Sequence, residues 1–410
     1  MKWTFSVLFI ICLIASTSVL ILPAKASADS WTTMAPLPMA FTSSGAAVVD
    51  GKVYVIGVNT GVKPGNETYN FQYDPNTNTW IAKTPMPTFR IGFAVAACQN
   101  KVYVMGGFAG IGATNASTNE VYDPATDSWE RKAYMPTDRI GMGANVLDGK
   151  LYIIGGSVPN PFDVSPLSKA NEAYDPSKDS WTEMAQIPTA VTSYASAVID
   201  DKIYVIGGSN STRTDLPNVA LNLVQIFDPE TNQWSQGAHV SAGIFGAAAC
   251  ATTGLLSPKR IYVIGGEVED LSNSFSALTN VTQVYDPQTE SWSFGASIPT
   301  ARSDFALVNV NDTFYAIGGV SGYILVSANE KYTPLDYGAS SSPSPSQNPT
   351  FSPTQSPTPS ISPSENSTGA PIQTPRGLGS QEFVAEITLA VALAIVLAVA
   401  FALMRKHKPK

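Results

Sequence analysis

The chain has 410 residues, 44% of them hydrophobic and 14% charged, with 30 Pro and 31 Gly. That charged share is low for a soluble cytosolic protein, where about 25% is usual. The formal net charge is −8, and six of the cations (Lys2, Lys25, Arg405, Lys406, Lys408, Lys410) lie at the two ends. The body between them is more acidic still. It repels phosphate backbones, which excludes nucleic acid as an expected partner.

The N-terminus reads as a secretory signal over residues 1–28. Lys2 supplies the positive start, Phe5 to Leu22 is apolar apart from small hydroxyl residues, and Ala24-Lys25-Ala26 and Ala26-Ser27-Ala28 offer small-x-small cleavage patterns. The mature chain is expected to begin near Ser27 or Asp29. Cys12 lies inside the apolar run and not at its end, so it marks no lipoprotein cleavage site.

Repeats organise the next three hundred or so residues. A double glycine after a short apolar run recurs as VYVMGG to Gly107, LYIIGG to Gly156, IYVIGG to Gly208, IYVIGG to Gly266 and FYAIGG to Gly319. The first copy, VYVIGV, ends Gly57-Val58 and lacks the second glycine. After each full copy but the last, and after the first, comes an aromatic residue, Asp-Pro and a Trp: YDPNTNTW to Trp80, YDPATDSW to Trp129, YDPSKDSW to Trp181, FDPETNQW to Trp234 and YDPQTESW to Trp292. The spacing is about 50 residues, a period long enough for each repeat to be one structural unit. The apolar runs suit buried strands. The glycines permit a turn and a close approach, Asp-Pro marks a turn, and the aromatics are large apolar fillers between repeats.

From about Trp31 to Tyr337 this pattern resembles the kelch-repeat family. The resemblance implies an all-β, six-bladed propeller over residues 29–337, used mostly as a binding scaffold. The sixth repeat lacks its Trp, whereas Trp31 in SWTTMAPLP stands alone before the first and matches SWTEMAQIP around Trp181. Residues 30–34 are therefore expected to supply the missing fourth strand of the last blade and close the ring, which removes exposed sheet edges. In a four-stranded meander the second-to-third-strand loops share a face with the blade-to-blade linkers. The length-varying loops 58–70, 108–120, 157–172, 209–224, 267–284 and 320–330 thus mark a recognition face. Aligning the repeats places Phe41, Arg90, Arg139, Val191, Ala242 and Arg302 in one column at the channel mouth. Arg90-Ile91-Gly92 and Arg139-Ile140-Gly141 resemble the kelch pattern in which Arg rims a ligand pocket. Arg90, Arg139 and Arg302, with Phe41 and Asp304, are the expected ligand-binding set, suited to a carboxylate ligand. The alternative is that each Arg pairs with a local carboxylate such as Asp138 or Asp304 and stiffens the ring. Phe93, Met142, Tyr194, Phe245 and Phe305 form the next column, read as blade-to-blade core.

Beyond Tyr337, residues 338–380 are rich in Ser, Pro and Thr and read as a disordered stalk. Residues 384–404 read as a transmembrane helix, with Ile387 to Met404 uncharged. The basic tail 405–410 is expected in the cytoplasm by the positive-inside rule. The sum is a single-pass cell-membrane protein with its propeller outside. Glu382-Phe383, the apolar span and the basic tail loosely resemble archaeal tripartite sorting signals, which suggests a prokaryotic or archaeal surface protein.

Catalytic and metal chemistry is sparse. His239 is the single His outside the basic tail, so neither the two-His, two-Tyr copper site of some kelch-like oxidases nor a Cys/His zinc site is expected, and no cofactor is implied. Cys98 and Cys250 align at one place in opposite blades and read as small hydrophobes without a disulfide. Carboxylates are plentiful, with Glu267, Glu269 and Asp270 on one acidic loop. Six sequons, at Asn66, Asn115, Asn210, Asn280, Asn311 and Asn366, are candidate glycosylation sites. The expected function is a monomeric cell-surface recognition or adhesion module for an extracellular protein or glycan. The alternative is an extracellular carbohydrate-active enzyme with carboxylates in the central pocket.

Overall fold

The computed structural model describes residues 28–59, 67–109, 116–160, 165–211, 220–270 and 275–338. They form six four-stranded antiparallel sheets, the blades of one propeller. Counting each blade from the axis outward, blade 1 is Thr42–Val49, Lys52–Asn59, Glu67–Asp74 and Thr79–Ala82. Blade 2 is Ala94–Cys98, Lys101–Met105, Asn119–Asp123 and Ser128–Lys132, and blade 3 is Gly143–Leu147, Lys150–Ile154, Asn171–Asp175 and Ser180–Glu183. Blade 4 is Ala195–Ile199, Lys202–Ile206, Val224–Asp228 and Gln233–Gln236, and blade 5 is Ala248–Ala251, Ile261–Ile264, Thr282–Asp286 and Ser291–Gly295. Blade 6 takes Ala306–Val310, Thr313–Ile317 and Asn329–Thr333 from the end of the domain and Ser30–Thr33 from its beginning. Innermost strands meet in sequence around the axis, and the last touches the first.

Closure by the N-terminal strand is as the unpaired Trp31 implied, with one boundary shift: the strand ends at Thr33. Trp31 lies opposite Tyr332, their rings 5.0 Å apart. Its indole N–H donates to Ala296 O in the preceding linker at 2.8 Å. The other five blade tryptophans make the same bond, to Ala35, Thr84, Ala133, Ala185 and Ala238. Asp29 stands where Asn78, Asp127 and Asp179 stand in blades 1 to 3, accepting from the tyrosine hydroxyl, here Tyr332 at 2.6 Å.

The burial pattern follows from the sequence. Second strands such as IYVI at 261–264 are apolar throughout and wholly buried, inner strands such as AVAAC at 94–98 alternate, and outer strands such as SWTE at 180–183 are exposed apart from a half-buried Trp. Each of the six apolar clusters lies between two neighbouring blades; one joins Ala94, Ala96, Cys98 and Tyr103 to Leu151, Ile153 and Tyr174 of the next blade. Every buried Ile or Leu there contributes about 1.5–3 kcal/mol, so the ring is held by contacts between sheets rather than within them. The double glycines are required by geometry: Gly156 has φ 84°, and a Cβ on it would lie 2.6 Å from Ile140 O. Its N–H donates to Val191 O of the next blade at 2.8 Å.

The two free cysteines are not equivalent. Cys250 lies opposite Tyr262 as Ala96 lies opposite Tyr103, whereas Cys98 lies opposite Lys101 at the turn. Blade 5 has a longer first hairpin, through Thr252 and Arg260, which displaces the alignment by two residues. Ile244, whose carbonyl accepts from Gly208 N–H, therefore replaces Ala242 in the column of Phe41 and the arginines, and Ala247 replaces Phe245 in the next.

The linkers are pinned to the long loops. Leu37, Met135, Ile187, Val240 and Ile298 are buried, and their N–H groups donate to Ser327, Ser117, Lys169, Asn222 and Asn280 carbonyls. Linkers and long loops thus share one face, opposite the Asp-Pro turns. Two of the long loops contain hairpins of their own, Glu267–Asp270 with Phe275–Leu278 and Val320–Ser321 with Ile324–Leu325.

The expected signal (1–28, but for its last residue), the stalk from 339 on, the transmembrane helix and the basic tail lie outside the described residues, as do Asn66, Asn115 and Asn366. Among the described residues no helix is long and apolar enough to cross a membrane.

Candidate functional site

Arg90, Arg139 and Arg302 occupy equivalent places at the start of the inner strands, and all three have 0% of their surface exposed. The chain turns at the double glycines and leaves room beneath the turn, ringed by backbone carbonyls of the second strand and of the turn itself. The guanidinium groups fill that space. Arg139 donates to Ile153 O at 3.0 Å and to Gly155 O and Ala170 O, both at 3.2 Å. Arg90 donates to Gly106 O at 2.5 Å, and Arg302 to Ala316 O at 2.8 Å.

Each Arg also meets a buried glutamate on the third strand of its own blade. Arg90 pairs with Glu120 at 2.8 Å, Arg302 with Glu330 at 3.0 Å, and Arg139 with Glu172. The second oxygen of each carboxylate accepts from a linker threonine: Thr88 and Thr137 at 2.6 Å, Thr300 at 3.0 Å. Burial pushes all three guanidinium groups below their ordinary range, and the paired glutamates pull back toward the charged form.

The expected arginine rim is thus a set of internal salt bridges. The partners are Glu120, Glu172 and Glu330, not Asp138 or Asp304, which are exposed. The sequence carries a signal for this. Where the column holds Arg, the third strand reads NEVY, NEAY or NEKY; where it holds Val191 or Ile244, the strand reads VQIF or TQVY. Gln225 then satisfies the linker backbone at Thr189, and Gln283 that at Ser241. In blade 1 Phe41, also fully buried, stacks on Phe71 with centroids 6.2 Å apart.

Just inside this column runs a belt of backbone bonds around the axis. Gly141 donates to Gly92 O (2.9 Å), Ser193 to Gly141 O (2.9 Å), Gly246 to Ser193 O (2.8 Å) and Asp304 to Gly246 O (2.9 Å). All five residues are left-handed, with φ between 52° and 66°, a conformation that Gly, Asn and Asp adopt most easily. Asp304 is the one acid in the belt and, of the five expected binding residues, the one open to solvent. Enclosure by the ring, and then the charge of Glu267, push its carboxyl up to about 6. Glu267, on the neighbouring hairpin, accepts from Ser303 Oγ at 2.8 Å and from Ser276 Oγ.

Among the other candidates, His239 is exposed and shares a hydrogen bond with Gln236. Burial raises the Cys250 thiol to about 12 and also raises that of Cys98, as inert core thiols require. Asn210, Asn280 and Asn311 are exposed. Among the described residues no group of His, Cys, Asp and Glu is arranged to hold a metal ion.

Comparison with known proteins agrees with this architecture. The model of the KLHDC2/KLHL20/DRC7 Kelch-repeats domain matches residues 92–319. The chain is 27% identical to Spermatocyte protein spe-26 of Caenorhabditis elegans over 165 residues, 40% of this chain and 27% of that protein. It is 29% identical to Kelch-like protein 23 of Homo sapiens over 169 residues, 40% of this chain and 26% of that one. Alpha-scruin of Limulus polyphemus is 28% identical over 174 residues, 42% of this chain and 18% of the other. The chain thus spans about a quarter or less of the length of these relatives. In shape it is similar to the solved structure of YjhT, with TM-score 0.61 and 18% identity, over 73% of this chain and 96% of that chain. With five double-glycine repeats, six blades and a ring closed by its own N-terminal strand, the chain belongs to the kelch-repeat family.

Proposed function

We propose that this protein is a cell-surface recognition module that binds a protein partner through the long-loop face of its propeller. Kelch propellers are typically protein-binding modules. The observation that carries the reading is the asymmetry of the two faces. One has short turns set by Asp-Pro and a left-handed Asn, Asp or Glu in blades 1 to 5, with one exception, the longer first hairpin of blade 5. The other has loops that differ in length and structure from blade to blade, two of them built as hairpins. A scaffold face repeats; a face selected for a ligand diverges. The signal over 1–28, the stalk over 338–380, the span over 384–404 and the basic tail give the expected placement: propeller outside, one pass, tail inside. Exposed Asn210, Asn280 and Asn311 suit that placement as glycan acceptors.

Two measurements test this reading. Protease added to intact cells should cut within 338–380 and release the propeller; detection of the propeller only after lysis overturns the surface placement. The full-length chain, probed against arrays of secreted proteins and of glycans, should bind protein spots, and substitutions on the long-loop face should remove the signal. Signal lost only on changing the Asp-Pro turns overturns the choice of face.

A second reading, an extracellular carbohydrate-active enzyme, draws on one observation. Asp304, with its carboxyl raised to about 6, neighbours Glu267 at the channel mouth, and glycoside hydrolysis uses a pair of carboxyl groups. Hydrolysis of a glycan substrate that Asp304→Asn and Glu267→Gln both abolish would favour it over binding alone.

A further inference from the structure

The long-loop face is not uniform, and its composition around blades 5 and 6 specifies a partner. The hairpin Val320–Ser321 with Ile324–Leu325 turns at Gly322, which has φ 65°. Its tip presents Tyr323 at 105% and Ile324 at 69% relative exposure. The base is held firmly. Val320 N–H donates to Ser303 O at 2.9 Å and Ser303 N–H to Val320 O at 3.0 Å, while Gly318 N–H donates to Ala328 O at 2.8 Å and Val326 N–H to Gly319 O at 3.0 Å. A large aromatic and a branched aliphatic side chain on a braced turn make an anchor whose backbone is preorganised, which lowers the ordering cost of binding to that of the two side chains. Met39, also partly exposed, lies in the linker that Leu37 ties to Ser327 on the return strand of the same loop.

The charge beside this anchor has one sign. Ser303, which holds the base of the hairpin, also donates to Glu267 on the neighbouring hairpin. Segments 265–282, 296–305 and 318–329 contain Glu267, Glu269, Asp270 and Asp304, and the single cation among them, Arg302, is fully buried on Glu330. Acidic residues alone would form a solvated surface. Here Glu267 is bonded through Ser303 to the base of an exposed apolar tip, Asp304 follows Ser303 in the chain, and Glu269 accepts from Ala220 N–H in the blade 4 loop.

We infer that the two hairpins of blades 5 and 6, Glu267–Asp270 with Phe275–Leu278 and Val320–Ser321 with Ile324–Leu325, form one docking surface for a protein segment that carries Lys or Arg side chains next to an apolar patch. Tyr323 and Ile324 bury against that patch, and Glu267, Glu269 and Asp304 meet the cations. This assignment rests on the long-loop face being the recognition face.

The test uses the full-length chain and a phage-displayed random peptide library panned at low ionic strength. Recovered peptides should combine Lys or Arg with aliphatic or aromatic residues. Their affinity should fall about tenfold or more for Tyr323→Ser with Ile324→Ser, and should weaken with added salt and for Glu269→Gln with Asp304→Asn. Both apolar side chains are exposed, so the first variant should melt with the parent, which separates lost binding from lost folding. Failure to recover any peptide that needs Tyr323 or Ile324, or recovery of acidic peptides there, overturns the docking surface. If the binders instead depend on the long loops of blades 1 to 4, the recognition face stands and the docking surface alone fails. If they depend on the Asp-Pro turns, both fail.

Discussion

The inner sockets of the blades and the hairpins at their long-loop ends come from the same repeats but diverge in opposite ways. In the sockets the chemistry varies while the role stays fixed. Phe41 with Phe71, Arg with Glu in blades 2, 3 and 6, Val191 with Gln225 and Ile244 with Gln283 all fill the space beneath the glycine turn. In the hairpins the backbone itself changes, and large side chains such as Tyr323 are left without internal partners. A charged residue at a repeating position is therefore weak grounds for a ligand site, because matched substitutions inside the blade explain it. An exposed apolar residue on a braced, non-repeating turn is a better guide.

The comparison can be broken where the scaffold is said to matter most. Deleting residues 29–33 removes the outer strand of blade 6, the Trp31–Tyr332 contact and the Asp29 bond to Tyr332. Loss of about 5 kcal/mol or more is expected by urea denaturation. An unchanged midpoint would mean that the ring closes some other way.

Next in size are the sockets. Arg139→Ala leaves Glu172 buried without its counter-charge and should cost about 3–5 kcal/mol. Arg139→Val combined with Glu172→Gln copies blade 4 and should recover most of that loss, measured as the coupling in a double-mutant cycle. If the double variant is as unstable as the sum of the singles, the sockets are not interchangeable. Gly156→Ala should follow, at about 1–3 kcal/mol, since its φ and its contact with Ile140 O both oppose a side chain.

Asp304 gives a smaller, pH-dependent effect. Its folded pKa, about 6, lies above the ordinary 3.8. The folded chain therefore keeps this proton after the unfolded chain has lost it, and stability falls as pH rises from about 4 to 6. Asp304→Asn should be more stable than the parent above pH 6, and the difference should vanish near pH 4. The gain should stay on the order of 1 kcal/mol because the carboxylate is exposed. A gain that grows toward low pH would contradict the assignment. Smallest of all, Tyr323→Ser should change stability by less than about 0.5 kcal/mol in thermal melts.

Much of the fold was legible because repeats announce it. The double glycines, the Asp-Pro turns and the tryptophans fix blade number and strand order, and the orphan Trp31 reveals closure. Register in blade 5 was not legible from the cysteines, because the longer turn through Thr252 and Arg260 moves Cys250 two places along its strand. The site was harder. Arg90 and Glu120 meet across a blade although 30 residues separate them, and only their joint replacement in blades 4 and 5 hints at the pairing. The acidic segment at Glu267 carries no strand or turn signature of the repeat. Its hairpin depends on contacts from distant residues, Ser303 and Phe245, which brace its first strand.

The division between scaffold and recognition surface is tested most directly by hydrogen–deuterium exchange on the full-length chain, with and without a peptide recovered by panning. Segments 267–270, 275–278 and 318–328 should gain protection, while the Asp-Pro turns at 74–79, 123–128 and 175–180 should be unchanged. Protection confined to those turns, with both hairpins exchanging as before, would contradict it.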